Sequence, residues 1–191
     1  MSEQPSILSR VEKMGYRTFK SGDFNLNIIG VRTRSRVANE FDDNLYVVYK
    51  EDGQWVQHVY SITTDPGLYW LENPSRVAGT AILKAGQYRS AFTIGKHRGR
   101  YTALVQSGPV DVYRDSNRDN HINMEESSVQ TGYFGINIHR SSSSGSSPAV
   151  NKWSAGCQVF QFTAEYDSFI ALCRASSRLY GSRFTYTLLE D

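Results

Sequence analysis

Two strand-like segments around a tight turn constrain the fold of this chain more than any other feature. Segments 44–50 (NLYVVYK) and 54–62 (QWVQHVYSI) are rich in β-branched and aromatic residues, and Glu51-Asp52-Gly53 lies between them. An Asp-Gly pair in a short connection is typical of a β-hairpin, because both residues tolerate a positive φ. The sequence therefore predicts an antiparallel strand pair here and a fold that is built on strands.

The rest of the chain carries further strand signals and two helical ones. Segment 5–16 has helical periodicity, and so has 163–181, in which Thr163 is the expected N-cap and Gly181 the stop. We therefore expect a mostly β fold with a short N-terminal helix and one longer C-terminal helix. The other predicted strands are 24–32, 102–107, 110–114, 134–139, 157–161 and 184–190, of which the second and third meet around Gly108-Pro109.

Length, charge and hydropathy limit the classes of protein. A chain of 191 residues suits a single domain over 1–191, in which 1–22 form an N-terminal helical appendage. A net charge of +2 is too small to indicate a nucleic-acid partner. No run reaches the ~20 apolar residues of a membrane span, so we expect no membrane insertion. The chain does not open with the apolar core of a signal peptide. We therefore expect either delivery to the cell wall by a non-classical or phage-type route, or a cytoplasmic protein.

A histidine and a cysteine on successive predicted strands are the strongest functional signal. His139 ends the strand GINIHR with Asn137 on the same face, and after fourteen further residues the motif Ser154-Ala-Gly156-Cys157 follows. Glycine before a cysteine permits a tight turn whose N–H groups can stabilise an oxyanion. A thiol with an ordinary pKa is mostly protonated at neutral pH, so a neighbouring imidazole is needed to form the thiolate. This pattern predicts Cys157 as a nucleophile and His139 as its base.

These residues resemble the catalytic domain of the L,D-transpeptidases, in which a histidine precedes a Ser/Thr-His-Gly-Cys motif at similar spacing. The resemblance covers roughly residues 135–161 and implies a β-sandwich or barrel-like domain that acts on a peptidoglycan stem peptide through a thioester. It implies that the Arg140 carbonyl orients the imidazole, that the amides of Gly156 and Cys157 form the oxyanion hole, and that Ser154 belongs to the catalytic motif. The order of histidine before cysteine also disfavours papain-like enzymes.

Two departures from the family pattern leave the reaction open. Ala155 stands in place of the second histidine of the family, and Gln158-Val159-Phe160 lacks the arginine or asparagine that usually follows the cysteine. Loss of acceptor binding would favour water, and the enzyme would then be an L,D-carboxypeptidase or endopeptidase instead of a cross-linking transpeptidase. The alternative is a non-catalytic, calcium-stabilised β module that binds cell-wall glycan or peptide, with Cys157 as an ordinary buried cysteine.

Four residues near the motif are candidates for substrate contacts: Asn137, Trp153, His97 and Tyr133. His97 lies in the basic run 95–101, whose cationic side chains suit the carboxylates of a stem peptide. A solvated loop explains the same run, and aromatic packing explains Tyr133 equally well.

The segment 115–126 matches the ligand positions of an EF-hand calcium loop. Asn120 stands at position six, where glycine is usual, and Ile122 at the apolar position eight. We expect a structural Ca²⁺ and no cofactor for catalysis, with a solvated Asp/Asn turn as the alternative. The predicted oxygen ligands come from Asp115, Asn117, Asp119, the His121 carbonyl, Asn123 and Glu126.

Overall fold

Within residues 3–191, which the computed structural model describes, eight strands close into a barrel and three form a smaller sheet. The barrel order is β1-β11-β5-β6-β9-β10-β3-β2, and the small sheet has the order β4-β7-β8. The strands are β1 (Asn27–Arg32), β2 (Asp43–Glu51), β3 (Gln54–Thr63), β4 (Thr80–Leu83), β5 (Gly86–His97), β6 (Tyr101–Gln106), β7 (Val110–Asp115), β8 (Gln130–Gly132), β9 (Ile138–Arg140), β10 (Gln158–Phe160) and β11 (Arg183–Glu190), and the helices are α1 (Ser6–Lys13), α2 (Leu68–Glu72) and α3 (Thr163–Tyr180).

The predicted hairpin is confirmed. β2 and β3 pair in antiparallel register from Asp43 opposite Ile62 to Glu51 opposite Gln54. The turn residues Asp52 (φ 49°) and Gly53 (φ 72°) have the left-handed conformation that a tight hairpin requires.

The mostly β, barrel-like fold and its two expected helices are also confirmed. α3 packs Phe169 and Cys173 against Phe160 in the main apolar core, which fills the barrel. α1 packs on the outer side of β1, where Leu8 and neighbouring apolar residues contact a second cluster that includes Ile29. No helix within residues 3–191 is both long and apolar enough to cross a membrane.

Two of the predicted strands lie in different sheets. β6 pairs with β5 and β9 in the barrel, whereas β7 pairs with β4 and β8, so the segments around Gly108-Pro109 do not form the expected contact. The amides of Ser107 and Gly108 both donate to the Ala91 carbonyl of β5, which directs the chain away from a hairpin. The long strand β5 was not predicted, because Ser90 (φ 52°) interrupts its alternation.

The element ends differ in detail from the predictions. Phe162 is the N-cap of α3. Thr163 is already the first helical residue, and its hydroxyl donates to the Ser142 carbonyl oxygen. Met14 and Leu179 lie within the two segments of helical periodicity, yet they are 60% and 61% exposed, so the buried face of each helix ends before them. The strand predicted over 134–139 contracts to Ile138–Arg140, since the preceding residues are held by side-chain hydrogen bonds instead.

Candidate active site

The pairing of β9 with β10 brings the candidate nucleophile and base to one face of the sheet. The two strands run parallel, with His139 beside Val159. Two residues earlier on each segment, the Asn137 N–H donates to Cys157 Sγ over 3.4 Å. Because side chains alternate along a strand, Asn137 and His139 lie on the face opposite Ile138, which points into the core.

Cys157 is a protonated thiol in this environment. It is 8% exposed. Its Sγ–H donates to the Gly135 carbonyl oxygen and its sulfur accepts the Asn137 N–H, each over 3.4 Å. Burial raises the pKa of the thiol to about 11, although the Asn137 N–H and the charge of Arg98 favour the thiolate. A thiol with this pKa would need a base at the moment of attack to act as a nucleophile.

His139 has the tautomer that a base requires. It is 2% exposed, and its Nδ1 lies 2.8 Å from the Arg140 carbonyl oxygen. A carbonyl only accepts hydrogen bonds, so Nδ1 carries the proton and Nε2 carries the lone pair. Nε2 is buried and has no hydrogen-bond partner among residues 3–191, Cys157 Sγ included. Burial, with the nearby His97, lowers the pKa of His139 to about 3, so the imidazole is neutral at physiological pH.

His97 stacks on His139 with 4.0 Å between ring centroids. Asn137 fixes its orientation: Oδ1 accepts the Gln106 N–H (3.0 Å), and Nδ2 therefore donates to His97 Nδ1 (3.1 Å). Neutral His97 thus carries its proton on Nε2. Burial and, after it, the charge of Arg98 lower the pKa of His97 to about 4, so the stacked pair is uncharged at neutral pH.

Tyr101 is a site residue that the motif analysis did not select. Its hydroxyl donates to the Arg140 carbonyl oxygen (3.2 Å) and lies 3.2 Å from His139 Nδ1. The Arg140 guanidinium lies 4.6 Å from the centroid of the Tyr101 ring. Arg140 thus acts through its carbonyl on the imidazole and through its side chain on the tyrosine.

The turn that carries Cys157 is built by Ser154. The fully buried Ser154 hydroxyl donates to the Cys157 carbonyl oxygen (2.9 Å) and accepts the Gly156 N–H (3.2 Å). Gly156 has φ 110°, and a Cβ there would come within 2.1 Å of the Ala81 carbonyl oxygen, so only glycine fits. Since the Gly156 N–H is engaged, the Cys157 N–H, which donates to no residue within 3–191, is the available oxyanion donor.

Gln106 positions the segment that leads into β9, and sequence reasoning missed it. Its Oε1 accepts the N–H groups of Phe134 and Ile136, each over 3.0 Å. Its Nε2 donates to the carbonyl oxygens of Gly132 (2.8 Å) and Gly108 (2.9 Å). One amide side chain thus replaces the strand ladder over 132–136.

The four predicted substrate residues occupy different environments. Asn137 and His97 are committed to the hydrogen bond that orients the stacked histidine pair. Trp153 is 44% exposed, with its indole N–H on the Ser147 hydroxyl, and Tyr133 is 68% exposed. The structure therefore leaves Trp153 and Tyr133 accessible to a ligand and gives the other two a positioning role.

A cleft beside the turn that carries Cys157 is lined by Ala155 together with Arg76 and Arg114. Neither arginine was predicted as a site residue. They lie 38 positions apart in the sequence and meet only because β4 pairs with β7, which places Ala81 opposite Arg114.

The residues of the predicted calcium loop lie together. Asp115 ends β7 and is 1% exposed; its Oδ2 accepts the Asn123 N–H (2.9 Å), and its Oδ1 is buried without a hydrogen-bond partner. Asp119 accepts hydrogen bonds from the His121 N–H (2.8 Å) and from the Asn117 side chain (2.9 Å). Five of the six predicted ligands therefore converge, and an unpaired carboxylate oxygen belongs to one of them.

The sixth predicted ligand does not join them. Glu126 binds Lys84 and the Tyr113 hydroxyl (3.0 Å), away from the other ligands. The left-handed conformation for which an EF-hand loop uses glycine at position six is found at Arg118 (φ 61°) and not at Asn120. Within residues 3–191, no three His, Cys, Asp or Glu side chains are grouped as a metal site.

No family model matches the chain, and no curated protein or solved structure gives a match either. The function must therefore be inferred from the residues of the chain itself.

Proposed function

We propose that this protein is a cysteine enzyme of the L,D-transpeptidase type, acting on peptidoglycan stem peptides with Cys157 as nucleophile and His139 as base. One observation carries the proposal: His139 is held by the Arg140 carbonyl, while its Nε2 is buried and unpaired on the face that carries Cys157. A buried polar atom without a partner costs about 1–3 kcal/mol. A fold that retains this cost beside a cysteine is consistent with a proton acceptor that works only during the reaction.

The uncharged thiol and imidazole define how such a reaction proceeds. Sγ attacks the peptide carbonyl carbon while its proton passes to His139 Nε2, and the Cys157 N–H stabilises the oxyanion. Collapse of this intermediate breaks the C–N bond, and the leaving amine takes the proton from Nε2, which leaves a thioester on Cys157. Attack by water or by an amine then releases the acyl group and returns the proton to the sulfur.

Burial of β10 favours water as the acceptor. Gln158, Val159 and Phe160 occupy the positions where the family usually has an arginine or asparagine, and all three are fully buried. The Gln158 Oε1 accepts the Tyr186 hydroxyl inside the barrel (2.8 Å). A second substrate cannot reach any of these side chains. An L,D-carboxypeptidase or endopeptidase activity is therefore favoured over cross-linking.

Mass spectrometry of purified muropeptides incubated with the protein tests this function. We expect shortened or cleaved stem peptides with the wild type and with Cys173→Ala, and unchanged muropeptides with Cys157→Ala. A folded Cys157→Ala variant that converts muropeptides at the wild-type rate would exclude the thioester route. Muropeptides that bind but are unchanged by every variant would favour the non-catalytic wall-binding module.

We further propose that the loop 115–126 binds a structural calcium ion. The supporting observation is the buried Asp115 Oδ1, which has no partner, in a loop where Asn123 joins the other groups: its N–H donates to Asp115 Oδ2, and its side chain donates to Asp119 and to the His121 carbonyl oxygen. The ion would supply positive charge that offsets the repulsion between Asp115 and Asp119, since that repulsion, after burial, raises the pKa of Asp115. Glu126 would join only by leaving Lys84.

A further inference from the structure

The cleft between β4, β7 and the turn that carries Cys157 shares Ala155 with that turn. It holds about 90 Å³ between the turn and the β4–β7 pair, enough for a carboxylate group, with Trp70, Phe134 and Ala155 among its lining residues. Ala155 lies two positions before Cys157, and Phe134 immediately precedes the glycine whose carbonyl accepts the thiol proton. A ligand group in this cleft therefore contacts the turn that carries Cys157.

Two arginines give this cleft an unbalanced positive charge. Arg114 donates to the Gly79 carbonyl oxygen (3.2 Å) and to the Gln130 side chain (2.9 Å), and its guanidinium lies 4.7 Å from the centroid of the Phe134 ring. Neither Arg114 nor Arg76 takes part in an ion pair within residues 3–191. Burial lowers the pKa of Arg114, and the charge of Arg76 lowers it further, so an anion between them would relieve this repulsion.

We propose that Arg76 and Arg114 bind a carboxylate of the stem peptide and so place the scissile carbonyl on Cys157. Guanidinium groups bind carboxylates through paired, charge-assisted hydrogen bonds, and Phe134 already holds one of the two in a fixed plane. This inference rests on the function proposed above and names its specificity determinants. It also explains the two departures from the family pattern. The small Ala155, in place of a histidine, leaves the cleft open, and the two arginines replace the arginine or asparagine that usually follows the cysteine.

The test separates binding from catalysis by using the inactive Cys157→Ala protein. Calorimetry would compare a tetrapeptide muropeptide with two amidated forms, one blocked at its C-terminal carboxylate and one at its diaminopimelate carboxylate. We expect one of the amides to bind about tenfold or more weakly than the free acid. Arg76→Gln and Arg114→Gln, made in the same background, should each weaken the acid and remove most of its advantage over that amide.

Arg89→Gln, a change at an exposed arginine of β5, is the matched control and should bind like the parent. Arg76→Gln keeps the test decisive if Arg114→Gln fails to fold, because the Arg76 side chain has no hydrogen bond within residues 3–191. Equal binding of the acid and both amides, or an acid preference that survives both arginine changes, would overturn the proposal. Neither outcome depends on whether Cys157 turns over substrate, so the muropeptide assay tests the function separately.

Discussion

The two cysteines of the chain are both buried, but their surroundings differ. Cys173 lies on α3 in the barrel core, fully buried among apolar side chains, and burial alone raises its pKa. Cys157 is almost as buried, yet its sulfur exchanges hydrogen bonds with Gly135 and Asn137 and shares its face with His139. Burial therefore does not distinguish the two thiols; the polar partners of Cys157 and the neighbouring imidazole do.

Turnover should show the largest difference between the two cysteines. Cys157→Ala removes the atom that forms the thioester, and we expect kcat to fall by more than about a thousandfold. Cys173→Ala removes a sulfur of the main apolar core and should keep kcat within about twofold. Muropeptide conversion, followed by mass spectrometry with circular dichroism as the folding control, measures both. Equal losses in two folded variants would remove the distinction.

His139→Gln should reduce kcat by about 10²–10⁴-fold, because glutamine cannot accept the thiol proton. His58→Gln, at a histidine of β3 that stacks between Tyr49 and Tyr60, is the matched control and should leave kcat unchanged. Steady-state kinetics on a muropeptide substrate would measure both. An active His139→Gln enzyme would show that the unpaired Nε2 has no part in the reaction.

The rate should also depend weakly on pH across the neutral range. Burial holds the pKa of His139 near 3, so the base stays deprotonated as the pH rises above that value. Burial holds the pKa of the Cys157 thiol near 11, so it keeps its proton below that value. We expect kcat/KM to be flat between about pH 5 and 9 and to fall only toward acid. A rise of kcat/KM with a midpoint near the ordinary histidine pKa would contradict a neutral, desolvated pair.

Calcium should affect the surroundings of Cys157 and leave Cys173 unchanged. The loop 115–126 leads through β8 into the segment that contacts the Cys157 sulfur, whereas Cys173 packs inside the barrel. A hundredfold excess of Ca²⁺ over its Kd should stabilise the fold by about 2.7 kcal/mol, and Asp115→Ala should abolish the shift. Chelator should lower Tm and increase alkylation of Cys157 only. If elemental analysis finds no metal in the protein and Tm is the same with calcium and with chelator, the proposed calcium site is wrong.

Local sequence signals predicted the parts of the molecule that local chemistry determines. Asp52-Gly53 specified a hairpin, and the Gly156-Cys157 step marked a turn that accepts only glycine. The carbonyl contact expected between Arg140 and His139 is present in the structure, because it joins neighbours in the sequence.

Long-range contacts explain what the sequence did not predict. The stacking of His97 on His139 depends on the barrel order that places β6 between β5 and β9. Gln106 acts through carbonyl and amide groups around positions 132–136, which leave no pattern in residue types. Glu126 had the right spacing for a metal ligand, but Lys84 of another segment binds its carboxylate.

Serine substitutions should show the smallest but most direct difference between the two cysteines. At position 157 a hydroxyl would find the Asn137 N–H and the Gly135 carbonyl already in place, so Cys157→Ser should cost less than about 1 kcal/mol. At position 173 the hydroxyl would lie in the main apolar core, with the carbonyl of the preceding helical turn as its acceptor, and burial of a hydroxyl there costs about 1–3 kcal/mol. Urea unfolding of both variants, with the two alanine variants to correct for lost volume, isolates the effect of the polar partners. If both serines cost the same free energy of unfolding, the hydrogen bonds at Cys157 contribute nothing, and the sulfur of Cys157 is as purely structural as that of Cys173.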